Sequence, residues 1–119
     1  MKALSLGLAA ALALSAGAAS AHHAFSMYDN AKYTPLTGVI KTYSWQNPHA
    51  MISFVAANGD AWSVECSSPN IIGRKGWSST SLRSGDKVSI VVHPMKSGEK
   101  NALMVSVTTP AGVVLKDKD

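Results

Sequence analysis

The sequence predicts an all-β domain with a small helical contribution: a five-stranded, OB-like Greek-key barrel with a short helix between strands three and four. Three observations predict it. From Leu36 onward, short segments rich in β-branched and aromatic residues alternate with Gly, Pro and Asn turn signals. One stretch alone, Ser68-Pro69-Asn70 running to Gly76, carries helix start and stop signals. The resulting order of strand, strand, strand, helix, strand, strand is that of a five-stranded Greek-key barrel. A plain sandwich or an SH3-like barrel is the alternative, and requires the 69–76 stretch to be no more than a turn.

Each element has a local reason. Strand one covers Leu36 to Trp45 and stops at Gln46-Asn47-Pro48, because proline lacks an amide donor and restricts the residue before it. Strand two runs from His49 to Ala56 and strand three from Ala61 to Cys66, joined by a tight turn at Asn58-Gly59. Register decides which side chains share a face. A two-residue loop splits the apolar residues, whereas a three-residue loop of Ala57, Asn58 and Gly59 groups Ala50, Ile52, Phe54, Trp62, Val64 and Cys66 on one buried face. The second register is chosen, and it turns His49, Met51, Ser53, Ser63 and Glu65 outward.

Ser68 is the N-cap of a helix reaching Lys75, with Pro69 in its first turn and Gly76 as the left-handed cap. Trp77 and Leu82 pack the return path. Strand four, Lys87 to His93, alternates so that Val88, Ile90 and Val92 face inward and Lys87, Ser89 and His93 outward, until Pro94 ends it. Strand five is Asn101 to Thr108. A short strand at Val113–Leu115 precedes a charged, frayed end.

The N-terminus has the plan of a cleavable secretory signal over residues 1–21: Lys2, an apolar run from Ala3 to Leu14, then Ala19-Ser20-Ala21 as the cleavage site. The run is too short to span a bilayer comfortably and no stop-transfer segment follows, so no stable membrane insertion is expected after cleavage. Residues 22–35 then form an extended arm, and residues 36–119 the barrel domain. Export predicts a periplasmic protein. Without Lys2 the net charge is about +3 with scattered basic residues, an ordinary soluble surface, and export removes nucleic acid as a partner. Cys66 is the single cysteine, so no intramolecular disulfide forms, and the thiol is expected in the core.

All four histidines, His22, His23, His49 and His93, lie beyond the signal and outside apolar runs. Cleavage after Ala21 makes His22 the terminal residue, whose α-amino nitrogen and ring Nδ1 can close one chelate ring on a metal. This resembles the histidine brace of copper oxygenases and periplasmic copper carriers. A brace takes a further imidazole, giving nitrogens in the T shape that suits copper(II). His49, directly after the first loop, and His93, directly before the last, flank the same binding face of an OB barrel. An arm of about 14 residues at ~3.3 Å each reaches that face. Met27, Met51 and Met95 add thioethers, which favour copper(I) over zinc, and Glu65 is a candidate acceptor to orient a ring. Taken singly, each histidine reads more readily as a surface residue, and only the conjunction raises the metal reading to an even footing.

The motif set His22-His23-Ala24-Phe25, Trp45-Gln46-Asn47-Pro48-His49, Ser68-Pro69-Asn70, Gly76-Trp77, Leu82-Arg83-Ser84-Gly85-Asp86 and His93-Pro94 resembles a family of small exported proteobacterial proteins of unknown function. The resemblance covers essentially the whole mature chain. It implies export and a shared fold and brings no activity with it.

No G-x-S-x-G elbow, H-E-x-x-H helix, P-loop or G-x-G-x-x-G is present, so the expectation is not an enzyme. The expected function is a non-catalytic periplasmic metal-binding protein, copper before zinc, serving as carrier, buffer or accessory to a periplasmic partner. The metal candidates are His22, His49, His93, His23, Met51 and Met95. The alternative is an exported OB-like module that binds a partner or ligand through Trp45, Met51 and Tyr43, without metal.

Overall fold

The computed structural model describes residues 24–119, so the expected signal peptide, His22 and His23 lie outside the described residues. Five strands, β1 (Thr34–Ser44), β2 (Met51–Ala56), β3 (Ala61–Glu65), β4 (Lys87–Pro94) and β5 (Asn101–Thr108), lie in the lateral order β3-β2-β1-β4-β5. A parallel pairing of β3 with β5 closes them into a barrel. The short helix α1 (Pro69–Gly73) falls between β3 and β4, as the OB reading expects. A further strand, β6 (Val114–Lys116), takes up the edge of β5 where β3 leaves it: Ser63–Glu65 pair with Asn101–Leu103, and Val114–Lys116 with Ser106–Thr108.

The β2–β3 hairpin has the three-residue loop. Phe54 pairs with Trp62 and Ile52 with Val64, and Gly59 takes the positive φ of 92° that this loop demands. Ala50, Ile52, Phe54, Trp62, Val64 and Cys66 are all buried. The remaining core comes from Ile40 of β1, Ala56 of β2, residues of β4 and β5, Leu115 of β6, and Ile72, Trp77 and Leu82 from the segment between β3 and β4.

Boundaries differ from expectation where neighbours change the local rules. β1 starts at Thr34, inside the segment read as arm, because at Pro35 the strand has β4 on one side only and tolerates a residue with no amide hydrogen. The helix ends at Gly73 rather than Lys75. Ser68 Oγ accepts from Ile71 N at its start, and at its end the amides of Lys75 and Trp77 both turn back to Ile72 O, with Gly76 at φ +95°. The C-terminal end is not frayed. β6 carries it along β5, where Asp117 N donates to Val105 O at 2.8 Å, and the buried Asp117 carboxylate accepts from Ser67 N at 2.7 Å and Ser67 Oγ at 2.6 Å.

Register also sets one row of residues across the outer face. His93 pairs with Leu103, Leu103 with Glu65, and Glu65 with Met51, running from β4 through β5 and β3 to β2. Their chain neighbours Val92, Ala102, Val64 and Ile52 fill the core, so alternation points all four outward. The arm lies over this row. A 3-10 turn at Phe25–Met27 leads into Tyr28, which bridges to Met95, while Asp29 N donates to Pro94 O and Lys96 N to Met27 O. Tyr28, Met95 and Leu103 thereby form a second, smaller apolar cluster outside the barrel.

Candidate functional site

His49 stands just before β2, after the Asn47–Pro48 cis peptide. The hairpin pairing continues past the strand ends, with Cys66 N donating to Ala50 O at 2.9 Å and Ala50 N to Ser67 O at 3.3 Å, so Glu65 is the diagonal neighbour of His49. The His49 ring spans that diagonal. Its Nδ1 lies 3.2 Å from the Cys66 carbonyl oxygen, which only accepts, and its Nε2 lies 3.5 Å from Glu65 Oε1. With Nδ1 donating, Nε2 directs its remaining capacity at a carboxylate oxygen. A neutral ring would face that oxygen with a lone pair, so a proton or a metal cation between the two atoms is what the geometry accommodates. Two ligands each about 2 Å from one ion and near right angles stand ~3 Å apart, close to the separation found.

Glu65 is sheltered, with 13% of its side chain exposed against 37% for His49. On one flank is Met51, its direct cross-strand partner and half-buried. On the other is Leu103 under Tyr28. The pKa of the Tyr28 hydroxyl is pushed up to about 12, first by burial and second by the Glu65 charge, which places that charge beside the arm.

The other sequence-predicted candidates are distributed unevenly. His93 faces outward as expected, yet it is only 2% exposed. Its Nδ1 lies 2.8 Å from Lys32 O and its Nε2 2.9 Å from Asp119 O, with the Tyr33 ring edge-on at 4.9 Å. Each nitrogen thus faces an acceptor oxygen, one from the arm and one from the C-terminal tail, and the ring lies between those segments and β4. Met95 is buried against Tyr28 and Leu103, and Met27 is 42% exposed on the arm. His22 and His23 precede the described residues. Among the described residues, no group of three or more His, Cys, Asp or Glu could hold a metal ion.

Phe25 helps to locate the start of the arm. It lines one groove, about 410 Å³ in volume, together with Ser67, Lys75, His93 and Asp117. Ser67 in turn accepts from the amide of Ala50, the residue after His49.

Cys66 is fully buried with its sulfur in the core, and burial pushes its thiol well above the ordinary value. Tyr43 and Trp45, offered by the sequence as part of a recognition surface, are partly buried and pack against the core. The Tyr43 hydroxyl donates to Ser78 O at 2.7 Å, and the two rings are tilted against each other at 6.2 Å. Two contributors to the site escape a reading of the sequence. Tyr28 is one of several aromatic residues in an aperiodic arm, and Asp117 belongs to a charged tail; neither carries a periodic signal.

A family model described as "Family of unknown function (DUF6152)" matches residues 10–104. No curated protein matches the chain.

Proposed function

The chain belongs to the DUF6152 family, and from that premise, with no activity attached to the family, we propose that it is a periplasmic copper-binding protein acting as a non-catalytic carrier, buffer or accessory. The ligands are the α-amino nitrogen and Nδ1 of His22, exposed by signal cleavage, and Nε2 of His49, with Glu65 Oε1 as the oxygen ligand beside it. One observation carries this reading: His49 has Nδ1 tied to a backbone carbonyl and Nε2 turned to a carboxylate 3.5 Å away. Fixing one ring nitrogen on a carbonyl is how proteins orient a ligating imidazole and set its tautomer. The start of the arm supports the rest. His22 is three positions before Phe25, a reach of at most about 10 Å, and Phe25 shares a groove with Ser67, which accepts from the residue after His49. His93, with both nitrogens engaged, drops out of the ligand set, and His23 remains the reserve imidazole.

Three nitrogens and one oxygen suit copper(II) in a tetragonal field. Mature protein beginning at His22 is expected to bind one equivalent of copper(II), with a nitrogen-rich spectrum by electron paramagnetic resonance. His49→Ala should weaken binding by about 10–100-fold. A version carrying an additional Met-Gly before His22 should lose the amine ligand and change the spectrum. Identical spectra and affinities for all three proteins would overturn the assignment.

A second reading, an exported ligand-binding module, draws on a separate apolar groove of about 640 Å³ between β1, β2, β4 and β5, lined by Val39, Val55, Val88 and Pro110. It expects a thermal midpoint indifferent to copper, whereas an ion bound only by the native state raises it.

A further inference from the structure

We propose that a groove of about 440 Å³ across β1, β2, β3 and the start of β5 binds the phosphate group of an organic phosphate monoester. The site shares no residue with the copper reading and does not depend on it. Register gathers its donors. Ser53 of β2 pairs with Ser63 of β3, and Ser63 with Asn101 of β5, so two hydroxyls and an amide form a row across three strands. Lys41 is the extra residue where the β1–β2 register shifts between Ile40 and Thr42. Because Thr42 pairs with Ser53, this bulge sets Lys41 at one end of the row, where it lines the groove. Lys100 is at the other end. Its backbone carbonyl accepts from Ser63 N at 3.0 Å, and its Nζ stands 5.0 Å from the centroid of the Trp62 ring.

One donor in the groove lining is unmet. Trp62 is 8% exposed, and its buried Nε1 has no hydrogen-bond partner. A buried N–H without an acceptor is costly, and a ligand oxygen that meets it removes that cost. No carboxylate lines the groove. Asp60 reaches Lys100 at 3.7 Å, but the two side chains are 43% and 50% exposed, where an ion pair is weak, and Asp60 Oδ2 also accepts from Asn58 Nδ2 at 3.1 Å. The exposed Lys100 stem is therefore able to follow an anion without disturbing the strands. Two ammoniums match the charge of about −1.5 to −2 on a phosphate monoester. Together with the hydroxyls, the Asn101 amide and the indole they outnumber the roughly four acceptor positions of a carboxylate, and the third oxygen of a phosphate meets more of them. Val55 and Ala61 give the organic portion an apolar wall, in a volume within the range of about 300–1,000 Å³ usual for small-molecule pockets.

The test is calorimetric titration of the purified protein with glycerol phosphate, inorganic phosphate and acetate, repeated on Lys41→Gln and Trp62→Phe, with the indole N–H resonances followed by proton–nitrogen NMR. Glycerol phosphate should bind one equivalent and move the Trp62 indole resonance, which is the one that Trp62→Phe removes. Lys41→Gln alters an exposed side chain, so it should weaken binding about tenfold and leave the thermal midpoint of the ligand-free protein unchanged. Inorganic phosphate that binds as tightly as glycerol phosphate supports the phosphate group and overturns the ester. Four results overturn the site as a whole: no saturable binding at millimolar concentration, acetate binding as tightly as glycerol phosphate, unchanged affinity in Lys41→Gln, or a Trp62 resonance that stays put at saturation. Each of them leaves the copper reading untouched.

Discussion

Gly38 is the position at which the barrel is least able to accept change. It sits in β1 between Ala56 of β2 and Val88 of β4, and a Cβ built on it would stand 2.1 Å from Val55 O, 2.8 Å from Ala56 Cα and 2.8 Å from Phe54 Cζ. Two of those three atoms are backbone, held by the β1–β2 ladder, and the third belongs to a fully buried ring. Overpacking a core by one methyl group typically costs about 1–3 kcal/mol when side chains absorb it. Here the strands themselves must part, so Gly38→Ala is expected to cost about 3 kcal/mol or more. At ~4–8 °C per kcal/mol for a domain of this size, that lowers the thermal midpoint by about 12–24 °C. Gly59→Ala is the control: its site is open, with no atom within 4 Å, and it pays only for a φ of +92°, about 1–2 kcal/mol. Thermal and urea unfolding followed by circular dichroism give both values. If Gly38→Ala loses no more stability than Gly59→Ala, the close approach of β1 and β2 is not what shapes this barrel.

Two further predictions separate structural from ligating roles. His93→Gln should cost about 1–3 kcal/mol, since one backbone oxygen loses its donor, yet leave copper(II) affinity unchanged; a copper affinity that falls with this substitution returns His93 to the ligand set. Tyr28 and Cys66 should both resist ionisation. Burial, with the Asp117 and Glu65 charges adding to it and Lys118 opposing, keeps the Cys66 thiol protonated, so a thiol-specific disulfide reagent at pH 8 should react far more slowly with native than with urea-unfolded protein. Tyr28 titrates at about 12 when folded, against the 10.0 of an unperturbed tyrosine. Between those values the unfolded chain releases a proton that the folded chain keeps. Its contribution to stability is therefore complete below about pH 10 and is lost as pH rises through about 12, with Tyr43 shifted in the same direction. Urea midpoints that stay flat from about pH 9 to pH 12 would contradict the buried setting of both rings.

The barrel is legible because its defining signals are short-range and periodic. The loop at Ala57, Asn58 and Gly59, read from burial alone, is the one that sets Phe54 opposite Trp62, and the same register puts Glu65 opposite Met51. The capping signals at Ser68 and Pro69 place α1 between β3 and β4, which is the position that distinguishes this topology from a sandwich. What alternation cannot report is coverage. It states which face a side chain takes, and His93 does face outward, but whether that face meets water depends on segments with no period of their own. Here the arm and the tail both cross it, so Lys32, Tyr33 and Asp119 enclose a ring that the strand pattern alone leaves at the surface.

The same limit separates the surroundings of the two rim histidines. His49 and His93 are equivalent in the sequence as loop-flanking imidazoles, and the difference between them comes from what each ring nitrogen meets. His93 faces two backbone oxygens, one from the arm and one from the tail, at 2.8 and 2.9 Å. His49 faces a backbone oxygen with one nitrogen and the Glu65 carboxylate with the other. An imidazole held in that way is useful to a cation, and Glu65 at 3.5 Å adds an anionic oxygen to the attraction at a place only 13% exposed. The buried clasp of Asp117 on Ser67 belongs to the same pattern: a tail with no period of its own fixes Ser67, which accepts from Ala50 N and lines the groove that Phe25 also lines.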